Sequence, residues 1–159
     1  MSFDPEYGAI MTIGGKYYSR YHPNRDVKTF QDGAEHGELL VKKCEACGVR
    51  IHPSRLSCPK CLSTNLNWIK TNKKGSVYSY SVIHHPYIPE LKEKVPYNLV
   101  LVMLDEGVLF YSILLHCDEK NLKIGMRVQA IFDKDNLFGV TLPKFQPTAS
   151  KEEGLLRSQ

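Results

Sequence analysis

No apolar run in this sequence approaches the ~20 residues that cross a bilayer. The segment from Met1 to Gly15 has no basic stretch leading into an apolar one, so no secretory signal is expected and the expected location is cytoplasmic. There is no G-x-G-x-x-G or G-x-x-x-x-G-K to cradle phosphates, and no G-x-S-x-G elbow to present a nucleophilic serine. Internal repeats of about 20–50 residues are absent, which excludes a solenoid. Charge of one sign is scarce too: 21 Lys and Arg stand against 17 Asp and Glu, a formal +4. That excess is too small to argue for nucleic acid by itself. Tryptophan occurs once and phenylalanine six times, whereas tyrosine occurs nine times. Tyr-rich chains often carry half-buried surfaces and contacts.

What is present fits an ordinary folded protein, 42% apolar and 24% charged over 159 residues. The length suits one mid-sized domain or two small ones. Residues 1–25 read as irregular, because Gly8, Gly14, Gly15 and two prolines break any period; Lys16-Tyr-Tyr-Ser-Arg-Tyr21 concentrates aromatics and cations, and this arm either packs on its own domain or clasps a partner. A short helix is expected over 26–37, with Asp26 as N-cap, Val27, Phe30 and Ala34 on one face, and Gly37 as the stop, although Gly33 weakens it. The domains expected are an N-terminal arm and helix (1–37), a cysteine module (38–70), a β-barrel (71–147) and a polar tail (148–159).

The barrel rests on five short apolar segments: Val77–Ile83, Asn98–Leu104, Val108–Leu115, Arg127–Phe132 and Gly139–Leu142. Asp105-Glu-Gly107 reads as a tight turn. The unbroken apolar run of the second segment predicts burial on both faces. Five strands with one long loop after the first predict a small closed barrel of the OB type. The fold class is thus mainly β: arm and helix, cysteine module, then five-stranded barrel.

Cys44, Cys47, Cys58 and Cys61 have the spacing C-x2-C-x10-C-x2-C. Two such pairs form knuckles that aim four sulfurs at one point, and in a reducing compartment they read as ligands of one Zn²⁺. Iron in the same cage, or disulfides, are the alternatives. Four thiolates leave no open position, so the zinc is expected to be structural; it lowers the net charge to about +2. Cys117 lies beside Asp118-Glu119, which oppose a thiolate, and reads as structural.

His84-His85-Pro86-Tyr87 falls where the first barrel strand enters the long loop. Histidines there are ordinary loop residues, partner or ligand contacts, or, least, a general base. Tyr78 and Tyr80 are expected to share a strand face with Val82, where aromatics stack on bases in nucleic-acid-binding barrels or stay half-exposed in structural ones. Lys70, Lys73, Lys74, Lys92 and Lys94 mark a solvated face, or one that meets nucleic acid or the phosphates of coenzyme A.

The ordered set Phe30-Gln-Asp-Gly33, Gly37-Glu-Leu39, Cys44-x-x-Cys47-Gly48, Cys58-Pro59-x-Cys61, Trp68, Gly75-Ser-Val-Tyr-Ser79, Pro96-Tyr97, Leu104-Asp-Glu-Gly107, Ile124-Gly-Met126-x-Val128 and Phe132 resembles a known family. It is the acyl-CoA-associated family with a rubredoxin-like zinc ribbon and an OB fold, long labelled domain of unknown function thirty-five. The resemblance covers about residues 26–147. One departure is Gln31, where family members often have Trp. The resemblance implies a non-catalytic accessory subunit of a thiolase-type enzyme, or in some cases a hydratase-type one, acting on a coenzyme A thioester. Such subunits shape the coenzyme A site or hold the complex together. Tyr78, Tyr80, His84, His85 and Tyr97 are the expected contacts to ligand or partner; no catalytic residue, no membrane and no nucleic acid are expected. The competing reading is a single-stranded nucleic-acid-binding module.

Overall fold

Segments rich in Val, Ile, Leu and Tyr, divided by glycine-containing turns, favour strands. The computed structural model is accordingly mainly β, with one α-helix among the described residues. It describes residues 2–4, 8–13, 16–20, 25–85, 92–134 and 140–148, with side chains from 28 onward. Tyr21, Pro86, Tyr87, Glu90, Gly139 and the tail beyond Thr148 lie outside the described residues, as do the side chains of Asp26 and Val27. No described helix is long and apolar enough to cross a membrane.

The described residues of the first 25 form strands, where an irregular arm was expected. Strands β1 (Ser2–Asp4), β2 (Gly8–Ile13) and β3 (Lys16–Arg20) pair as an antiparallel sheet in that order. The β-branched Ile10, Thr12 and Ile13 suit a strand, and β2 ends before the glycine pair that had argued against one. Helix α1 (Arg25–Glu35) follows, starting one residue ahead of the expected cap at Asp26. Gly37 stops it with φ +71°: its N–H donates to the Ala34 carbonyl and that of Glu38 to Gly33, the two bonds of a Schellman motif. Gly33, which weakened the helix in sequence, has a packing reason. A Cβ there would stand 2.6 Å from Leu40 Cδ1, so the missing side chain lets the helix approach the next strand.

That strand, β4 (Leu40–Cys44), is central to a small sheet with β5 (Arg50–Ile51) and β6 (Leu66–Lys70). The chain then enters the barrel, formed by β7 (Lys74–Ile83), β8 (Tyr97–Leu104), β9 (Leu109–Leu114), β10 (Arg127–Lys134) and β11 (Thr141–Pro147). Around it the order is β7-β8-β9-β11-β10, closing on β7. The closure is one short parallel contact, Phe145 beside Leu114. The last strand is longer than expected and runs through Pro143. A proline is tolerated there because the ladder towards β9 is confined to Phe145, leaving an edge.

The barrel interior packs Val77, Val100, Val102, Leu104, Phe110, Val128, Ala130 and Phe145, all buried. Leu39 and Val41 belong to the same core, so the cysteine-bearing sheet and the barrel share one interior. Phe30 of the helix stacks on Phe110 at 6.0 Å, and His52 of the cysteine module meets the same ring at 5.3 Å. Helix, module and barrel therefore converge on Phe110.

The expectation that both faces of β8 are buried is corrected. Asn98, Val100, Val102 and Leu104 are buried, while Tyr97, Leu99, Leu101 and Met103 alternate with them half-buried on the outer face. A closed barrel turns every second residue outwards, whatever its hydrophobicity.

Candidate functional site

The two cysteine pairs are built by the same bonds used twice. Gly48 donates its N–H to the Cys44 carbonyl at 2.8 Å, and Leu62 donates to Cys58 at 2.9 Å. Cys44 donates to the Val49 carbonyl, and Cys58 to that of Ser63. The residue after each second cysteine is left-handed, Gly48 at φ +73° and Leu62 at φ +59°. Each knuckle thus reverses sharply and sets its two sulfurs on one side.

All four sulfurs lie within 4.8 Å of one another. Cys44 and Cys61, and Cys47 and Cys58, are 3.5 Å apart. A tetrahedron of ~2.3 Å Zn–S bonds separates its sulfurs by ~3.8 Å, so the cage fits one zinc ion. Among the thiols themselves, amide hydrogen bonds from Cys61 and Lys60, with the neighbouring thiols, outweigh burial and lower the Cys58 thiol to about 6. Cys61 is pushed up to about 12: the Ser63 amide lowers it, but the Cys47 and Cys44 sulfurs and burial prevail. Zinc takes all four as thiolates and displaces the retained protons. With four protein donors the ion has no place for substrate, and its role is structural.

The tyrosines of β7 do not form the expected row. Val77 pairs with Val102 and Ser79 with Leu101, so Tyr78 is the extra residue of a β-bulge. The bulge resets the alternation. Tyr80 and Val82 lie opposite Val100 and Asn98, whereas Ser79 and Ser81 lie opposite Leu101 and Leu99 on the outer side; Tyr80 is still 39% exposed and reaches the barrel's surface. Tyr78 is 56% exposed. Tyr97 opens β8 opposite Ile83 and is half-buried. His84 and His85 are exposed at the end of β7; His84 Nε2 stands 3.8 Å from Glu119 Oε2, two solvated side chains in loose contact. These five residues share one strand pair and its end, but they do not converge on one point. Cys117 is half-buried, and burial with the Asp118 charge raises its pKa, which opposes a nucleophilic role.

The larger feature lies on the outer face. A groove of about 300 Å³ runs between helix and barrel, lined by Phe30, Leu99, Tyr111, Ile113, Leu142 and Pro143. A hollow of about 70 Å³ adjoins it, sharing Leu99 and Tyr111 and walled by Ser79, Tyr80 and Leu101. Tyr111 is 66% exposed and Leu109 is exposed beside it. Sequence reading passed over both. The signal was there: Leu109 and Tyr111 alternate with the buried Phe110 and with Ser112, an apolar face turned to solvent.

A structural zinc ribbon fused through a shared core to a five-stranded OB barrel defines the class of protein. Residues 31–67 match the family model of the ChsH2 rubredoxin-like zinc ribbon domain, and residues 68–133 that of the ChsH2 C-terminal OB-fold domain. A DUF35 domain-containing scaffold protein of Methanothermobacter thermautotrophicus is 36% identical over 109 residues, 68% of this chain and 81% of the relative. The chain belongs to this DUF35 family. A probable enoyl-CoA hydratase alpha subunit of Thermomonospora curvata is 33% identical over 130 residues, but the chain spans only 40% of its length. Among solved structures, a chain of an Ltp2-ChsH2(DUF35) aldolase superposes with a TM-score of 0.69 at 33% identity, covering 80% of this chain and 98% of that one.

Proposed function

We propose that this chain is a non-catalytic accessory subunit of an enzyme acting on a coenzyme A thioester, working in the cytoplasm as part of a hetero-oligomer. The observation that carries this reading is the apolar outer face of β8 and β9. Leu99, Leu101, Leu109, Tyr111 and Ile113 form a surface of the kind that marks protein–protein contact. Relatives named as scaffold proteins and as an enoyl-CoA hydratase alpha subunit point the same way.

The finer reading is a thiolase-type partner cleaving a 3-oxoacyl-CoA, with the thioester at or near the interface. Tyr78, Tyr80, His84, His85 and Tyr97 would then border the ligand or the enzyme, joined by Tyr111 across the shared hollow. The nucleic-acid alternative is weakened by the bulge, which breaks the row of tyrosines needed as a stacking platform. Co-purification from the native source, with the partner identified by mass, tests the proposal. A thiolase-sized acyl-CoA enzyme is the result expected; single-stranded nucleic acid as the retained material would overturn it.

A further inference from the structure

Residues 46–89 contain six Lys or Arg and no Asp or Glu. In the ribbon ahead of its last strand these cations are Arg50, Arg55 and Lys60, all exposed, and none of the three pairs with a carboxylate among the described residues, whereas Lys70 at the end of that strand is paired with Glu38. Two leucines stand out among them, Leu56 at 68% and Leu62 at 77% exposure. Neither is a product of slack structure. The loop bearing Leu56 is pinned from below: the buried Lys42 donates its Nζ to the Arg55 carbonyl at 2.9 Å and lies 4.9 Å over the Trp68 ring. Leu62 holds a left-handed φ of +59° at the position where the sister knuckle has Gly48. A branched side chain is disfavoured in that conformation, so nothing in the knuckle's own geometry calls for leucine.

We propose that the second zinc knuckle docks an apolar patch of the partner enzyme bordered by Asp and Glu. Leu56 and Leu62 supply the apolar centre, and Arg50, Arg55 and Lys60 the complementary border. The zinc cage beneath supplies the rigidity that lets exposed leucines present a fixed shape. Leucines favour a protein over a nucleic acid: bases stack on aromatic rings, and the single tryptophan, Trp68, is half-buried in the sheet beneath Lys42. This inference rests on the reading of the chain as an enzyme's subunit, and the knuckle is a second contact besides the outer barrel face.

The test uses the co-purified complex, separated and recombined, with Leu56→Ser, Leu62→Gly and Lys60→Glu compared with the native chain at low and moderate salt. One bound zinc per chain and native Trp68 emission check each variant's fold, and Leu62→Gly relieves strain rather than adding it. Each substitution is expected to raise the Kd at least about ten-fold, with the Lys60→Glu loss shrinking as salt rises. Native affinity for the enzyme in both leucine variants would overturn the inference while leaving the accessory role intact. Failure of any acyl-CoA enzyme to co-purify would overturn both. Binding of a single-stranded oligonucleotide that is lost in Lys60→Glu but kept in the leucine variants would replace the protein surface with a polyanion.

Discussion

Four residues show how local geometry sets their energetic roles. Leu62 and Gly48 occupy equivalent left-handed positions, but only one is glycine. Leu62→Gly is expected to stabilise the zinc-loaded protein by about 1 kcal/mol, and Gly48→Ala to destabilise it by a similar amount, read from chemical denaturation midpoints. Gly75 is constrained by space instead: a Cβ would lie 2.5 Å from the Met103 carbonyl oxygen and 2.7 Å from Val102 Cγ1. Gly75→Ala is expected to cost about 3 kcal/mol, because a backbone oxygen cannot move aside like a side-chain tip. Asp105 accepts both guanidinium bonds of Arg127, at 2.8 and 2.9 Å, and one from Asn72. These bonds hold its carboxyl at about 2, below the ordinary 3.8. A depressed carboxylate stabilises the fold fully above the unfolded value and loses that contribution as pH falls from about 4 towards 2. The pair is largely solvated, so the loss is at most about 1 kcal/mol. Asp105→Asn is expected to flatten that acid limb of a stability–pH profile and leave the region above pH 5 parallel to the native curve.

At the level of elements, the zinc ribbon was fully legible. Cysteine spacing is a covalent-scale constraint, and the four sulfurs meet as the two C-x-x-C pairs require. The ribbon's strands are short, β5 having only two residues, so the metal supplies much of what holds them. A chelator, or acid strong enough to protonate the thiolates, is expected to shift the emission of Trp68, whose strand pairs with β4, and added Zn²⁺ at neutral pH to restore it. Unchanged emission after complete zinc removal would contradict a structural metal. The tyrosine row was not legible. Period-two reasoning places Tyr78 and Tyr80 on one face, and one extra residue in a ladder reverses that without leaving a mark in composition. The N-terminal strands were missed for a related reason: Gly8, Gly14 and Gly15 were read as breakers of a period, yet β2 begins on Gly8 and ends before Gly14, and β3 begins after Gly15.

Over the whole molecule, sequence reading identified the order of parts and the barrel, because both follow from hydrophobic runs and turn residues. It did not find the apolar outer face of β8 and β9. An apolar residue facing out of a closed barrel has the same letter as one facing in, and Leu99 and Leu101 separate from Val100 and Val102 only once the strand is closed into the barrel. The shared core explains why ribbon and barrel would act as one rigid body against a partner: Leu39 and Val41 pack with Val77 and Phe145, and Phe110 ties in helix and ribbon. Leu101→Asp and Tyr111→Ala alter exposed or half-exposed side chains, and each is expected to weaken association with the enzyme at least about ten-fold while changing the melting temperature little. A large drop in melting temperature would instead assign that face to the fold.

The most direct measurement is acyl-CoA turnover by the co-purified enzyme complex, by each separated component and by the recombined pair. No turnover is expected from the zinc-loaded chain alone, reduced or absent turnover from the separated enzyme, and recovery on recombination. Turnover of an acyl-CoA thioester by this chain alone would contradict a non-catalytic accessory role.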